Sequence, residues 1–168
     1  MELWDIYDIN RNKTGQTHVR GRPMRRGEYH LSAFVWTFNS DGQLLLTRRS
    51  PEKESYPNLW AVTGGAAVAG ETSLQAMQRE LFEETGIRAE AEEFRLVGSY
   101  RRKNGFCDVY FLKKDVPLER LVMQPGETCD ARWVSRAEFE ALSAAGQVAK
   151  PDVSRYSLLT EQFGTLFR

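Results

Sequence analysis

The sequence predicts an α/β (α+β) protein in which helices pack on a mixed central β-sheet. Three observations predict it. Short alternating or apolar segments, each closed by Gly, Asn, Asp or Pro, recur along the chain as strands do. Two segments between and after them carry paired helix-start signals, Thr72 with Gln75 and Ser135 with Glu138. The chain has 168 residues and no internal repeat or low-complexity linker, so residues 1–168 read as one domain able to bury a substantial core.

Taken in order, residues 3–8 (LWDIYD) read as a short strand, followed by the turn-rich NRNKTG at residues 10–15. Residues 30–38 alternate aromatic and small side chains as a strand, and Asn39-Ser40-Asp41-Gly42 turns the chain into QLLLTRR. Residues 60–68 supply another strand. A helix then opens at the Thr72 capping box, carries a narrow apolar stripe of Leu74, Met77, Leu81 and Thr85, and stops at Gly86, which suits a left-handed C-cap. Residues 94–103 and 106–113 read as strands around Asn104-Gly105, a hairpin signal. Residues 131–134 give a last short strand. A helix capped by Ser135 follows, and a C-terminal helix is expected from residue 153 to about 167.

Composition narrows the classes of function. Lys+Arg and Asp+Glu both number 23, so no global basic field exists for non-specific nucleic-acid binding. The first residues lack an apolar signal-peptide core, and no apolar run reaches transmembrane length, so a soluble, cytoplasmic protein without membrane or nucleic-acid partners is expected. Cys107 lies in an aromatic-rich strand pattern and reads as a buried thiol rather than a bridge or a nucleophile. A homodimer is an open alternative.

The chemistry concentrates in residues 65–87, GAAVAGETSLQAMQRELFEETGI. Residues three and four apart share a helix face, so Glu80, Glu83 and Glu84 are expected to present three carboxylates to one point. Carboxylate oxygens are hard ligands and the segment holds no Cys or His, which favours Mg²⁺ or Mn²⁺ over Zn²⁺. Such an ion keeps positions open for water and phosphate oxygens, and so points to phosphoryl or pyrophosphoryl chemistry. The competing reading is a solvated acidic helix face. Upstream, Gly64-Gly65 can bring bare backbone close to a metal or phosphate. Arg48, Arg49 and Lys53 follow a strand and are suited to diphosphate oxygens, against the plainer reading of a solvated basic loop.

The segment matches the fixed positions of the Nudix box, and the chain resembles the Nudix hydrolase (MutT-like) superfamily. The resemblance implies an α/β/α sandwich and a hydrolase (pyrophosphatase) that uses water and Mg²⁺ (or Mn²⁺) to cleave a diphosphate linked to a moiety X. It implies Glu83 and Glu84 as metal ligands, Glu80 as a ligand or base-side carboxylate, and Arg79 as the group that orients them. Glu71 would support the site or a second metal, and the carbonyl of Gly65 or its neighbour Gly64 would complete the coordination. Glu127, six residues ahead of Trp133, resembles the family's late carboxylate, a general base or further ligand; Asp130 is a weaker candidate.

Residues 4–21, 30–53 and 57–60 also resemble the type I isopentenyl-diphosphate isomerases, which share the fold. That family needs a Cys and a metal-binding His shortly after the Trp, where this chain has Ala61-Val62-Thr63-Gly64-Gly65-Ala66-Ala67. An isomerase is therefore the runner-up and a non-catalytic nucleotide sensor the third reading. His30 and His18 lie near metal-binding positions of the isomerases; a structural His30, hydrogen-bonded at a strand start, is expected instead. Among Tyr7, Trp36, Tyr56, Tyr100, Phe106 and Tyr110, each reads as a core or sheet residue before a base-stacking one. The substrate is expected to be a small nucleoside diphosphate derivative or related organic diphosphate.

Overall fold

The computed structural model describes residues 1–164 and 166–168, and among these a two-stranded hairpin precedes a seven-stranded mixed sheet. The hairpin is β1 (Leu3–Tyr7) and β2 (Lys13–Val19). The sheet comprises β3 (His30–Phe38), β4 (Leu44–Arg49), β5 (Trp60–Ala61), β6 (Thr63–Ala66), β7 (Phe94–Arg102), β8 (Gly105–Lys113) and β9 (Thr128–Val134). The helices are α1 (Ser73–Thr85), α2 (Arg136–Ala144), α3 (Lys150–Leu158) and α4 (Thr160–Phe163). Strand order is β5-β4-β3-β8-β7, with β6 also on β3 and β9 also on β4. β3 runs parallel to β8 and antiparallel to β4 and β6, which makes the sheet mixed.

Alternation along β3 divides the core into two layers. Trp36 and Phe38 point to one side and pack with Phe139, Phe163 and Phe167 beneath the C-terminal helices. Ala33 and Val35 point to the other side and meet Met77 and Leu81 of α1. Trp36 stacks on Phe163 with ring centroids 4.5 Å apart. Each of these large side chains stabilises the fold by about 1.5–3 kcal/mol on burial. Helices thus cover both faces, giving the expected α/β/α sandwich. Both predicted capping boxes form, and Gly86 takes φ +73° while its N–H donates to Phe82 O at 2.8 Å.

Several predicted boundaries change, each for a physical reason. Residues 13–15 belong to β2 rather than to a turn. The turn is confined to residues 8–12, where the Asp8 carboxylate accepts from the N–H groups of Asn10 and Asn12. The strand expected at 60–68 is two strands, because β5 pairs with β4 and β6 with β3. At the changeover, the N–H of buried Val62 leaves the ladders and donates to Asp152 Oδ2 at 3.2 Å. The Asn104-Gly105 turn moves back one residue: Arg102 pairs with Gly105, and Lys103 and Asn104 make the turn. Gly105 serves close packing, since a Cβ there would come within 2.9 Å of His30 O. β9 begins at Thr128, three residues early, by pairing along β4. The expected C-terminal helix starts at Lys150, with Pro151 in its first turn, and is interrupted at Leu159 (φ −119°, ψ 19°) before α4. Residue 165, inside that expected helix, lies outside the described residues.

The hairpin is pinned to the sheet by charge. Arg11, in a left-handed conformation at its turn, donates from Nη1 to Oδ1 and from Nη2 to Oδ2 of the buried Asp108 of β8, at 2.9 and 2.5 Å. Burial opposes ionisation of Asp108, but the hydrogen bonds from Arg11, Ser73 and Ser99 outweigh it and hold the carboxyl below its usual range. Arg11→Ala should cost about 1.5–3 kcal/mol, the range for hydrogen bonds to charged groups. Urea denaturation measures the loss, and hydrogen exchange should rise first in β1 and β2. An unchanged urea midpoint would show that apolar packing alone holds the hairpin.

Candidate active site

The C-terminal end of β4, the glycines of β6, one face of α1, the approach to β9 and the start of α3 enclose a cleft of about 400 Å³. Gly64, Gly65, Arg79, Glu80, Glu83, Glu84, Arg49, Lys53 and Glu127 all line it. α1 delivers its carboxylates here because Met77 and Leu81 are buried against β3 and fix the rotation of the helix. β6 can lie close to the helix because it has no side chains in the way: a Cβ on Gly65 would collide with the Glu80 carboxylate.

Arg79 is the hub of the acidic face. Its Nε and Nη2 donate to both oxygens of Glu71 at 2.8 and 3.0 Å, and its Nη1 donates to Glu80 at 3.0 Å and Glu83 at 3.1 Å. Nη2 also donates to Ala66 O at 3.2 Å, tying helix to strand. Glu71 and Glu80 push the guanidinium pKa further up, with hydrogen bonding to Glu71 the main cause. Burial opposes ionisation of Glu71, but the donors Arg79 and Val68 N–H hold it below its usual range. Glu80 is raised, because burial outweighs the help from Arg79.

Glu84 has no such cation. It is 8% exposed, its main-chain oxygen accepts from Thr128 Oγ1 at 3.0 Å, and among the described residues its carboxyl has no hydrogen-bond partner. Burial, then the charges of Glu80 and Glu127, push its carboxyl up to about 8. The expected convergence of Glu80, Glu83 and Glu84 on one point is not found: among the described residues no three His, Cys, Asp or Glu side chains close around a point. Arg79 draws Glu80 and Glu83 towards itself, whereas Glu84 occupies the buried edge of the helix.

Other expected residues divide between the cleft and its surroundings. Arg49 lines the cleft, its Nε donating to Ser55 O at 2.9 Å. Arg48, one residue earlier on the strand, is not among the lining residues and donates to Asn58 O, as strand alternation requires. Lys53 is hydrogen-bonded to Glu127. Glu71 stands behind Arg79 and does not line the cleft. Gly65 changes role. In an antiparallel ladder alternate residues turn both polar groups to the partner. Ala67 N donates to Leu31 O and Gly65 lies opposite Ala33 in the same register, so Gly65 faces β3, and the carbonyl left facing away is that of Gly64.

Residues outside the expected set complete the walls: Glu2, Arg20, Phe34, Arg102, Asp152 and Arg155. Arg155 is 2% exposed; it bonds Asp152 and Tyr100 Oη, and its Cζ lies 3.3 Å from the Phe34 ring centroid. The i, i+3 spacing of Asp152 and Arg155 was a visible signal, but nothing local tells that the pair is buried. Of the six aromatics considered for stacking, Tyr56 alone lines the cleft. Asp130, Cys107 and Cys129 do not; Cys107 is buried in the core and Cys129 exposed, both as free thiols.

The histidines are stacked. Trp4 lies against His30 at 4.4 Å and against His18 at 6.2 Å, between ring centroids. The Leu31 backbone lies beside the His30 ring and partly offsets the lowering of its pKa, but Nδ1 is buried without a well-formed hydrogen bond among the described residues. Burial, then the charge of Arg102, lowers its pKa to about 4.

The chain and its fold are similar to known proteins. The model of the NUDIX domain matches residues 28–155. An uncharacterized Nudix hydrolase of Listeria monocytogenes is 45% identical over 148 residues, covering 88% of each chain. An isopentenyl-diphosphate Delta-isomerase of Pectobacterium atrosepticum is 34% identical over 176 residues, covering 97% of this chain and 86% of its own. The crystal structure of DR0079 from Deinococcus radiodurans superposes with a TM-score of 0.78 at 28% identity, covering 99% of this chain and 100% of that one.

The raised Glu84 carboxyl predicts a pH signature in metal-free protein. Between its ordinary 4.5 and about 8 the unfolded chain has lost this proton and the folded chain retains it, so stability falls as pH rises. Below 6.5 His30 works the other way, because the unfolded chain then binds the extra proton. From pH 6.5 to 8 the opposing effect of His30 fades while that of Glu84 persists, and the net fall is at most about 1 kcal/mol per pH unit. Thermal melts in chelator should show a falling midpoint over this window, flattened in Glu84→Gln. A wild-type midpoint that is level from 6.5 to 8 would contradict the assignment.

Proposed function

Because this chain belongs to the Nudix hydrolase family, whose members act on diphosphate (pyrophosphate) bonds, we propose that it is a Mg²⁺- or Mn²⁺-dependent hydrolase of a small nucleoside diphosphate derivative or related organic diphosphate. One observation carries this reading: Glu84, desolvated and without an ion-pair partner among the described residues, shares a cleft with Glu80, Glu83, Glu127 and the guanidinium of Arg49. The donor set fits a hard divalent ion, since all its members are oxygens. Glu80, Glu83 and Glu84, with the Gly64 carbonyl, would hold the ion. When bound, it neutralises diphosphate charge and lowers the pKa of water.

The chain's own groups do the rest. Arg79, held by Glu71, keeps Glu80 and Glu83 aimed. Arg49 binds diphosphate oxygens as a fork and Lys53 as a point charge. Phosphate oxygens draw Lys53 from Glu127, which frees that carboxylate to accept a proton from the attacking water. A bond forms between the water oxygen and phosphorus, the anhydride P–O bond breaks, and the leaving phosphate departs with the electron pair. Isomerisation lacks support, because neither thiol lines the cleft. The same reading takes the protein as cytoplasmic; among the described residues no helix is long and apolar enough to cross a membrane.

A panel of diphosphates assayed with Mg²⁺ or Mn²⁺ tests the proposal. Glu83→Gln should lose at least ~100-fold in kcat/KM, more than an outer supporting residue costs. Glu127→Gln should lower kcat by about 10²–10⁴-fold if it is the base. Full activity in Glu83→Gln would remove the metal assignment, and isotope exchange into isopentenyl diphosphate would establish the isomerase instead.

A further inference from the structure

Six cations line the cleft: Arg20, Arg49, Lys53, Arg79, Arg102 and Arg155. Four are matched by carboxylates, Arg20 with Glu2, Lys53 with Glu127, Arg79 with the α1 cluster and Arg155 with Asp152. Among the described residues Arg49 and Arg102 have no carboxylate within ion-pair distance. Arg49 belongs to the diphosphate site proposed above, which leaves Arg102 without an assigned task.

Arg102 is nonetheless held in place. Its Nη2 donates to Ser32 Oγ at 2.9 Å, and the buried Ser32 hydroxyl donates to Phe106 O at 3.1 Å. One bond therefore orients the guanidinium while its remaining N–H groups stay available. A second cavity of about 260 Å³ adjoins at this residue, lined by His30, Arg102, Lys103, Asn104 and Gly105, with no acid among them. In strand order β7 lies three places from β4, and at this end β6 lies on β3 and β5 on β4, so Arg102 and Arg49 leave the sheet at least roughly 14 Å apart. The two phosphorus atoms of a diphosphate are joined through one oxygen, too short a unit to occupy both ends.

We propose that Arg102, with Lys103 beside it, binds a second anionic group carried by X, so that the preferred substrates are diphosphates whose X moiety bears a further phosphate. This rests on the hydrolase reading and adds the class of X to it. Guanidinium and phosphate match as fork and oxyanion, and an acid-free cavity offers a remote phosphate no repulsion.

The test uses matched pairs: adenosine 5′-diphosphate against its 2′- and 3′-phosphorylated forms, assayed with Mg²⁺. Wild type should favour a phosphorylated form by about 10- to 100-fold in kcat/KM, the worth of a charge-assisted pair. In Arg102→Gln that ratio should fall to about one, chiefly through KM. Equal turnover within each pair by wild type overturns the subsite and leaves the hydrolase standing. An undiminished ratio in Arg102→Gln overturns it as well, because the residue then reads the diphosphate itself or nothing. Should no diphosphate be cleaved, calorimetry with adenosine 3′,5′-bisphosphate and 2′,5′-bisphosphate against adenosine 5′-monophosphate separates the two claims. A bisphosphate preference lost in Arg102→Gln supports the subsite without the hydrolase, and no preference overturns it.

Discussion

Negative charge crowded onto one short helix is the constraint around which this molecule is arranged. Glu80, Glu83 and Glu84 sit on α1, with Glu71 just before it, and a single guanidinium, Arg79, answers three of the four. The helix cannot rotate to relieve the crowding, because Met77 and Leu81 are locked into the core beneath β3. Glu84 therefore bears the cost of desolvation, which raises its affinity for a proton. The bare backbone of β6 belongs to the same arrangement. Side chains at Gly64 or Gly65 would strike Ala33, Phe34 or Glu80 and force helix and strand apart.

The opposite wall depends on a division of labour within one stretch of chain. Residues 60–66 start as a partner of β4 and end as a partner of β3, and the gap between the two ladders opens the cleft floor. Val62 N–H, released at the crossing, is taken by Asp152 of α3. Asp152 is buried with Arg155, which lies on the ring of Phe34. Breaking such a pair strands an uncompensated charge, so the pair holds α3 in one position against the sheet. The carboxylates of α1 and the C-terminal helix are thereby fixed to the same few residues of β3 and its neighbours.

Charge within the cleft is unevenly matched even though the whole chain is neutral. Carboxylates collect at the α1 end, with Glu84 unanswered; Arg49 and Arg102 are unanswered at two other places. An anion answering both of these guanidinium groups would need charge at two points, whereas Glu84 would need a cation. That follows from where charges fail to pair, which a count of Lys, Arg, Asp and Glu conceals.

Features that need only a few neighbouring residues were legible in the order of amino acids. Capping at Thr72 and Ser135, the stop at Gly86, the stripe through Met77 and Leu81, and the acidic face of α1 all depend on contacts within about one helical turn. The placing of Glu80, Glu83 and Glu84 on one helix was legible for the same reason, whereas the drawing of Glu80 and Glu83 towards Arg79, away from a shared point with Glu84, was not. Features that depend on a partner far along the chain were not legible. Asn104-Gly105 has the composition of a turn, yet His30, more than seventy residues away, claims the space beside Gly105. Arg48 and Arg49 look equivalent until pleating against β5 and β9 assigns them opposite sides. Gly65 or Gly64 could each offer a carbonyl until the register with Ala33 turned the first towards β3. Lys53 meets Glu127, and Arg102 meets Ser32, only because strands distant in the chain are neighbours in the sheet. The helix and the residues it carries were thus encoded locally, whereas the direction of each group and the charges left unpaired were settled by long-range packing, which local periodicity cannot express.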